Sequence, residues 1–269
     1  MTSSRVRYPA MVFYLTAMVG AGALGAVQPW TGLDPEILQL TQFGPALGVL
    51  VASLLWRGER RTVSLWSAVR PWPTGGAMTL AGIAAAVFAL CLGCYAIIGA
   101  DPHLRSAHDL VAPFGLIAVA QFAGACAEEI GWRAFLQPLL GTRMRTLPAS
   151  LVVGFLWAGW HVPVFAQGVG YSVAFVAMAV SLSVILGVVL GDRRGNYLLP
   201  AAVFHTLINL GLLMIFDEES GSVAAMTTFA MVCSACALVS VLVARTRTAR
   251  NGSAVATRGS HATASVREA

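Results

Sequence analysis

The sequence predicts an all-α fold, a polytopic membrane bundle of about eight transmembrane helices. Of the 269 residues, 57% are hydrophobic and only 11% are charged. A typical soluble domain is about 25% charged, so a single water-soluble core does not account for the excess. The apolar residues also gather into windows of span length, since a helix needs about 20 of them to cross the hydrocarbon.

Eight windows satisfy that length, approximately 9–27, 38–56, 77–99, 110–140, 147–167, 172–190, 198–216 and 223–244. The first follows Arg5 and Arg7 as a signal peptide would, but it is span-length and lacks a small-residue cleavage site, so it reads as an uncleaved helix. The second and third flank an arginine-rich break at Arg57, Arg60, Arg61 and Arg70. The fourth is overlong and holds Glu128, Glu129 and Arg133, which predicts a lead-in or a break near Pro113. The last four are separated by short polar or glycine-containing turns. The domain reading is N-terminal transmembrane helices in 1–109, a core in 110–216, a last span in 217–250 and a tail in 251–269. That tail, rich in Ala, Ser, Thr and Gly, is expected to be disordered.

The net charge of +5 is a matter of topology, because all 17 basic residues are arginines in short blocks between apolar runs. With the N-terminus in the cytoplasm, 15 of them fall on the cytoplasmic side, Arg105 falls outside and Arg133 lies within a span. This is the positive-inside pattern. It predicts a multi-pass protein of the inner (plasma) membrane with an even number of spans and both termini cytoplasmic. The lipid bilayer is the expected surrounding. Nucleic acid is not an expected partner, since no continuous basic face with interleaved aromatics forms. No internal repeat and no paired interrupted helices appear, which weakens a transporter reading.

Cysteine spacing offers two C-x-x-C pairs, Cys91/Cys94 and Cys233/Cys236. Both lie inside apolar runs without turn or charge, so they read as small apolar helix residues in preference to zinc ligands. Cys126 reads as packing. His103, His108 and His261 fall in an outer loop and the tail, where a solvated role suffices.

Ionisable residues within spans are expensive and point to function. Three clusters stand out. In Glu128-Glu129-Ile-Gly-Trp-Arg133, Glu129 and Arg133 are four residues apart with the acid first, the favourable order for a same-face ion pair. Glu128 points about 100° away, which frees it for other work. In Phe155-Leu-Trp157-Ala-Gly-Trp-His161, Trp157 and His161 share a helix face, with the tryptophans read as packing or site walls. In Phe204-His205-Thr-Leu-Ile-Asn209, His205 and Asn209 share a face. At 1.5 Å rise per residue, Glu128, His161 and Asn209 each lie about 20 Å from the nearest cytoplasmic loop and His205 about 14 Å. One shared intramembrane site is expected. A Glu129–Arg133 pair alone also fits a supporting role in helix register, and a lone membrane histidine fits an interhelical hydrogen bond; four such residues in one layer favour chemistry.

The three clusters resemble the motifs of the CPBP family, the CAAX protease and bacteriocin-processing group also called Abi. Glu128, Glu129 and Arg133 match its E-E-x-x-x-R motif, His161 its F-x-x-x-H motif, and His205 with Asn209 its H-x-x-x-N/D motif, over about 110–213. Trp157 stands where the family usually has Phe. The resemblance implies an intramembrane endopeptidase that acts on a peptide or membrane-protein substrate. Glu128 with His161 would activate a water, and His205 with Asn209 would stabilise the oxyanion. Glu129, Arg133 and Trp157 would support them. Water attack needs a general base and the tetrahedral intermediate needs pre-positioned donors, so the residue types suit the chemistry. Two histidines and a carboxylate, His161, His205 and Glu128, also suit zinc with an open position for water. No H-E-x-x-H helix is present; the metal-free route is preferred and zinc stays open. The competing readings are a non-catalytic peptide-binding immunity or regulatory membrane protein and, behind it, a transporter.

Overall fold

The computed structural model describes residues 4–56, 74–99, 101–102, 104–191, 198–216 and 221–265. The arginines at 57–70 and 193–194 and the acidic residues at 217–219 lie outside them. Among the described residues every regular element is helical: α1 Ser4–Val27, α2 Gly44–Leu55, α3 Thr74–Ile98, α4 Phe114–Glu129, α5 Gln137–Gly141, α6 Thr146–Trp160, α7 Val169–Leu190, α8 Leu198–Ile215 and α9 Val223–Ser265. Each of the eight apolar windows holds one of the larger helical segments. Six segments are long and apolar enough to cross a bilayer, while Leu40–Leu55 and Thr146–Trp160 are shorter. The chain is thus an all-helical membrane bundle.

Small residues set how closely the helices approach. Gly44 and Gly48 sit four apart on α2, and a Cβ on either would lie 2.6 Å from a backbone oxygen of α1, that of Ala17 or Phe13. Lipid supplies no hydrophobic force between helices, so such close van der Waals approach holds them together. α7 lies deepest, packed between α6 and α9, and α8 packs against α4 and α3. The mainly apolar α7 therefore has buried residues all round, including Leu182, Ile185 and Leu186.

Two windows depart from continuous helices. In the fourth, Pro113 caps the start of α4, and the helix widens into a π segment over Ile130–Leu136 before α5. Pro138 follows at the start of α5 and has no N–H for an intrahelical bond. The wide turn falls on Arg133, and Gly131 within it has no room for a side chain: a Cβ there would lie 2.5 Å from Pro45 and 2.9 Å from Phe13. In the fifth, the expected span 147–167 is corrected. α6 ends at Trp160, His161 leaves helical geometry at ψ 60°, and a 3-10 turn covers Val162–Gln167. Pro163 lies early in that 3-10 turn and has no N–H to donate to a preceding carbonyl, so the α6 hydrogen-bond ladder cannot continue through it. At the other end of the chain, α9 continues to Ser265, beyond the point where composition predicts a disordered tail.

Candidate active site

Carboxylate, indole and imidazole groups from α4, α6 and α8 meet at Trp157. Its indole Nε1 donates to Glu128 Oε2 at 2.8 Å, and its ring lies 5.8 Å from that of His161 and 5.2 Å from that of His205. Glu128 is 1% exposed and His205 5%. Trp157 is therefore more than the wall expected from sequence, since it holds one oxygen of Glu128 directly. The other oxygen of that carboxylate has no assigned donor among the described residues and remains available as an acceptor.

The break at Pro163 builds His161. Its backbone N–H turns to Ala158 O instead of Trp157 O, at 3.1 Å. The Trp157 carbonyl thus left over is met by the His161 side chain, Nδ1 to oxygen, at 2.9 Å. A carbonyl only accepts, so Nδ1 carries the proton and Nε2 presents a lone pair in the neutral ring. The residue is partly exposed, with Trp160 and Phe175 edge-on against it at 4.8 and 5.0 Å between centroids.

His205 is bound to the second carboxylate. Its Nδ1 lies 2.9 Å from Glu129 Oε1, while Arg133 Nε lies 3.5 Å from Glu129 Oε2. The expected Glu129–Arg133 proximity is present, and Glu129 additionally orients an imidazole. The Arg133 guanidinium carbon stands 5.2 Å from the centre of the Trp157 ring, which ties the ion pair to the Glu128 side of the site.

Asn209 sits one turn beyond His205 on α8, and its Nδ2 donates to Gln121 Oε1 at 3.2 Å. Gln121 Nε2 in turn donates to the Glu36 backbone carbonyl at 3.3 Å. Because that carbonyl is acceptor-only, it fixes which end of the Gln121 amide faces Asn209, and hence which end of the Asn209 amide faces Gln121. One Asn209 N–H is spent there and the second is left to donate elsewhere. Sequence reasoning missed Gln121. Its signal was a polar side chain within a span, seven residues before Glu128 and so on nearly the same helix face.

Among the described residues no three His, Cys, Asp or Glu side chains are grouped so as to hold a metal ion. Glu128, His161 and His205 do not form such a set, nor do the cysteines, of which Cys91 and Cys233 are buried and all five are free.

The fold and the buried polar layer define a helical membrane protein with a carboxylate–indole–imidazole cluster between helices. Residues 110–211 match the family described as type II CAAX prenyl endopeptidase Rce1-like. That match covers the three motifs and bears out the resemblance to the CPBP family. Over 233 residues, 82% of this chain, it is 26% identical to Lysostaphin resistance protein A of Staphylococcus aureus strain bovine RF122 / ET3-1, covering 53% of that protein. The proteins of the same name from strains Newman and USA300 are also 26% identical, with 52% of each covered. The chain thus spans about half the length of the curated relatives it matches.

Proposed function

We propose that this protein is an intramembrane endopeptidase, a multi-pass plasma-membrane protein with cytoplasmic termini that hydrolyses a peptide bond with a glutamate-activated water. The observation that carries the reading is the shared anchoring of two bases on one residue: Trp157 holds Glu128 through its indole N–H and His161 through its carbonyl. Both keep an unspent acceptor, the second Glu128 oxygen and His161 Nε2. A water between them loses a proton to Glu128, and the resulting hydroxide attacks the scissile carbonyl carbon. The carbonyl oxygen becomes an oxyanion that takes the second N–H of Asn209. His205 donates from Nε2 when its ring is doubly protonated, a form whose charge Glu129 balances. Glu128 then returns the proton to the leaving amine and the bond breaks. His161 and Asn209 are the partly exposed members of the four, which suits entry of water and substrate.

The test compares peptides released from membranes carrying the parental protein with those from Glu128→Gln and Asn209→Ala. Glu128→Gln keeps the shape and removes the proton acceptor, so turnover is expected to fall by about 10² to 10⁴-fold with binding retained. Asn209→Ala is expected to lose on the order of 10² to 10³-fold in the chemical step. A folded Glu128→Gln protein that cleaves at the parental rate removes the hydrolytic reading.

One observation favours a second reading. The relatives are named for resistance to lysostaphin, a role that a non-catalytic partner-binding membrane protein also fulfils. Full biological function of Glu128→Gln together with an unchanged peptide profile selects that reading.

A further inference from the structure

The Arg133 guanidinium carries more donors than its contact with Glu129 engages. The side chain is 2% exposed, yet neither Nη1 nor Nη2 has a hydrogen-bond partner among the described residues. Burying unpaired N–H groups of a cation is expensive, so these donors call for a counterpart. Arg133 lines a cavity of about 500 Å³ between α5, α6 and α7 whose exposed residues, Gly141 and Thr142, mark its open end. Gln137, one turn beyond Arg133, lines the same cavity. Its Nε2 is committed to Ser150 Oγ at 3.1 Å, while Oε1 is buried and without a donor among the described residues. The cavity lining thus includes a cationic side chain and a neutral amide, each with unmatched hydrogen-bonding groups.

A second cavity of about 630 Å³ adjoins it, sharing Thr146 and Gly191, and is bordered by Leu147, Val188, Val241 and Arg245. The turn at its rim carries exposed Arg143 and Arg145. The two cavities together therefore run from a buried arginine, past a basic turn, to a largely apolar open groove along α7 and α9. Basic pockets between transmembrane helices bind phosphate-bearing lipid headgroups.

We propose that these two cavities form one binding site for a phosphate group that carries or adjoins a hydroxyl, the phosphate on Arg133 and the hydroxyl donating to Gln137 Oε1. Inorganic hydrogen phosphate has this chemistry, and so does a phosphatidylglycerol headgroup, whose acyl chains would lie along the apolar groove beside Val188 and Val241. Because Arg133 also touches Glu129 and Trp157, occupancy of the site bears on the polar layer around Trp157. The site does not depend on that layer being hydrolytic.

The experiment measures thermal unfolding of the full chain in detergent with inorganic phosphate against chloride at equal ionic strength. Phosphatidylglycerol is compared with phosphatidylcholine by the same shift and by native mass spectrometry. Stabilisation by both phosphate and phosphatidylglycerol supports the site with free phosphate as a ligand; stabilisation by phosphatidylglycerol alone supports the lipid headgroup. Gln137→Leu is expected to weaken either ligand about tenfold, the scale of one lost hydrogen bond to a buried acceptor, and Arg245→Gln to weaken the lipid only. Arg133→Gln is expected to abolish both, and if it does not fold, the other two variants decide between the outcomes. Equal shifts with the two lipids and none with phosphate overturn the proposal. So do ligand shifts that survive unchanged in Gln137→Leu and Arg245→Gln.

Discussion

At Trp157 a single residue departs from the family pattern and makes a contact that a phenylalanine cannot. The indole N–H meets Glu128 at 2.8 Å, and a hydrogen bond to a charged group contributes about 1.5 to 3 kcal/mol. Trp157→Phe keeps an aromatic ring beside both histidines and removes only that donor and some volume. The expected outcome is a folded protein whose unfolding free energy falls by about 1.5 to 3 kcal/mol. Turnover is expected to change by less than Glu128→Gln changes it, because the general base remains. Chemical unfolding and peptide release measured on the same preparation check this. Stability equal to the parent would mean that water replaces the indole at Glu128, and Trp157 would then not be the anchor of that carboxylate.

At the scale of elements, the device that shapes the site is the early end of α6. With Pro163 replaced by Ala, the backbone regains a donor and helical geometry becomes accessible at Val162. His161 N–H can then bond Trp157 O, displacing the imidazole Nδ1 from the acceptor that fixes its tautomer. Pro163→Ala is expected to raise helix content by circular dichroism while lowering turnover by about 10- to 100-fold. More helix with full turnover would show that the cap does not orient the ring. Much of this layer was legible in sequence, because Glu128, Glu129 and Arg133, His161, and His205 with Asn209 are polar groups in apolar windows. Each sequence-based window also holds one of the larger helical segments. The partner of each polar group was not legible. Helical periodicity put His161 on a regular face, whereas Pro163 takes it off the helix. The π turn at Ile130–Leu136 leaves no periodic signal. Gln121 acts through a carbonyl 85 residues away in sequence. Outside the spans, Glu36 and Asp109 fasten the loop before α4: Arg105 donates to Glu36 at 2.8 Å, and the Ser106 amide donates to Asp109 at 2.7 Å. The hydrogen bonds from Ser106 hold the Asp109 carboxyl below its ordinary value. A lowered folded value means the contribution is full above the unfolded value of about 3.9 and is lost as pH falls through the folded one. The Ser106 amide resonance is therefore expected to titrate with a midpoint below that ordinary value; a midpoint at or above it contradicts the contact.

For the whole molecule, the arginines and the helices bear on topology independently. The helices supply eight apolar segments, of which Leu40–Leu55 and Thr146–Trp160 are the short ones. If either fails to cross, the parity of every later segment flips. The arginine pattern has no such weakness, since it reads sides from loops: blocks at 57–70, 143–145 and 193–194 fall after the second, fourth and sixth segments. Their agreement requires that both short segments cross, because only then do all three blocks and both termini share a side. The short helices can meet that requirement because neither stands alone in lipid. α2 is preceded by the turn Leu40–Phe43 and packs on α1, and α6 is continued by Val162–Gln167 and packs on α7. Backbone that leaves the helix at membrane depth is tolerated where protein covers it, and the His161 cap satisfies the carbonyl that the break exposes. Reporter fusions after Arg61, Arg145 and Arg194 are accordingly expected to report the cytoplasm. Opposite signals at Arg145 and Arg194 would mean that one of the two helices between those points, the short α6 or α7, does not cross. Glu128 and His161 would then approach from sides inconsistent with one shared layer, and the site would have to be reassigned along with the topology.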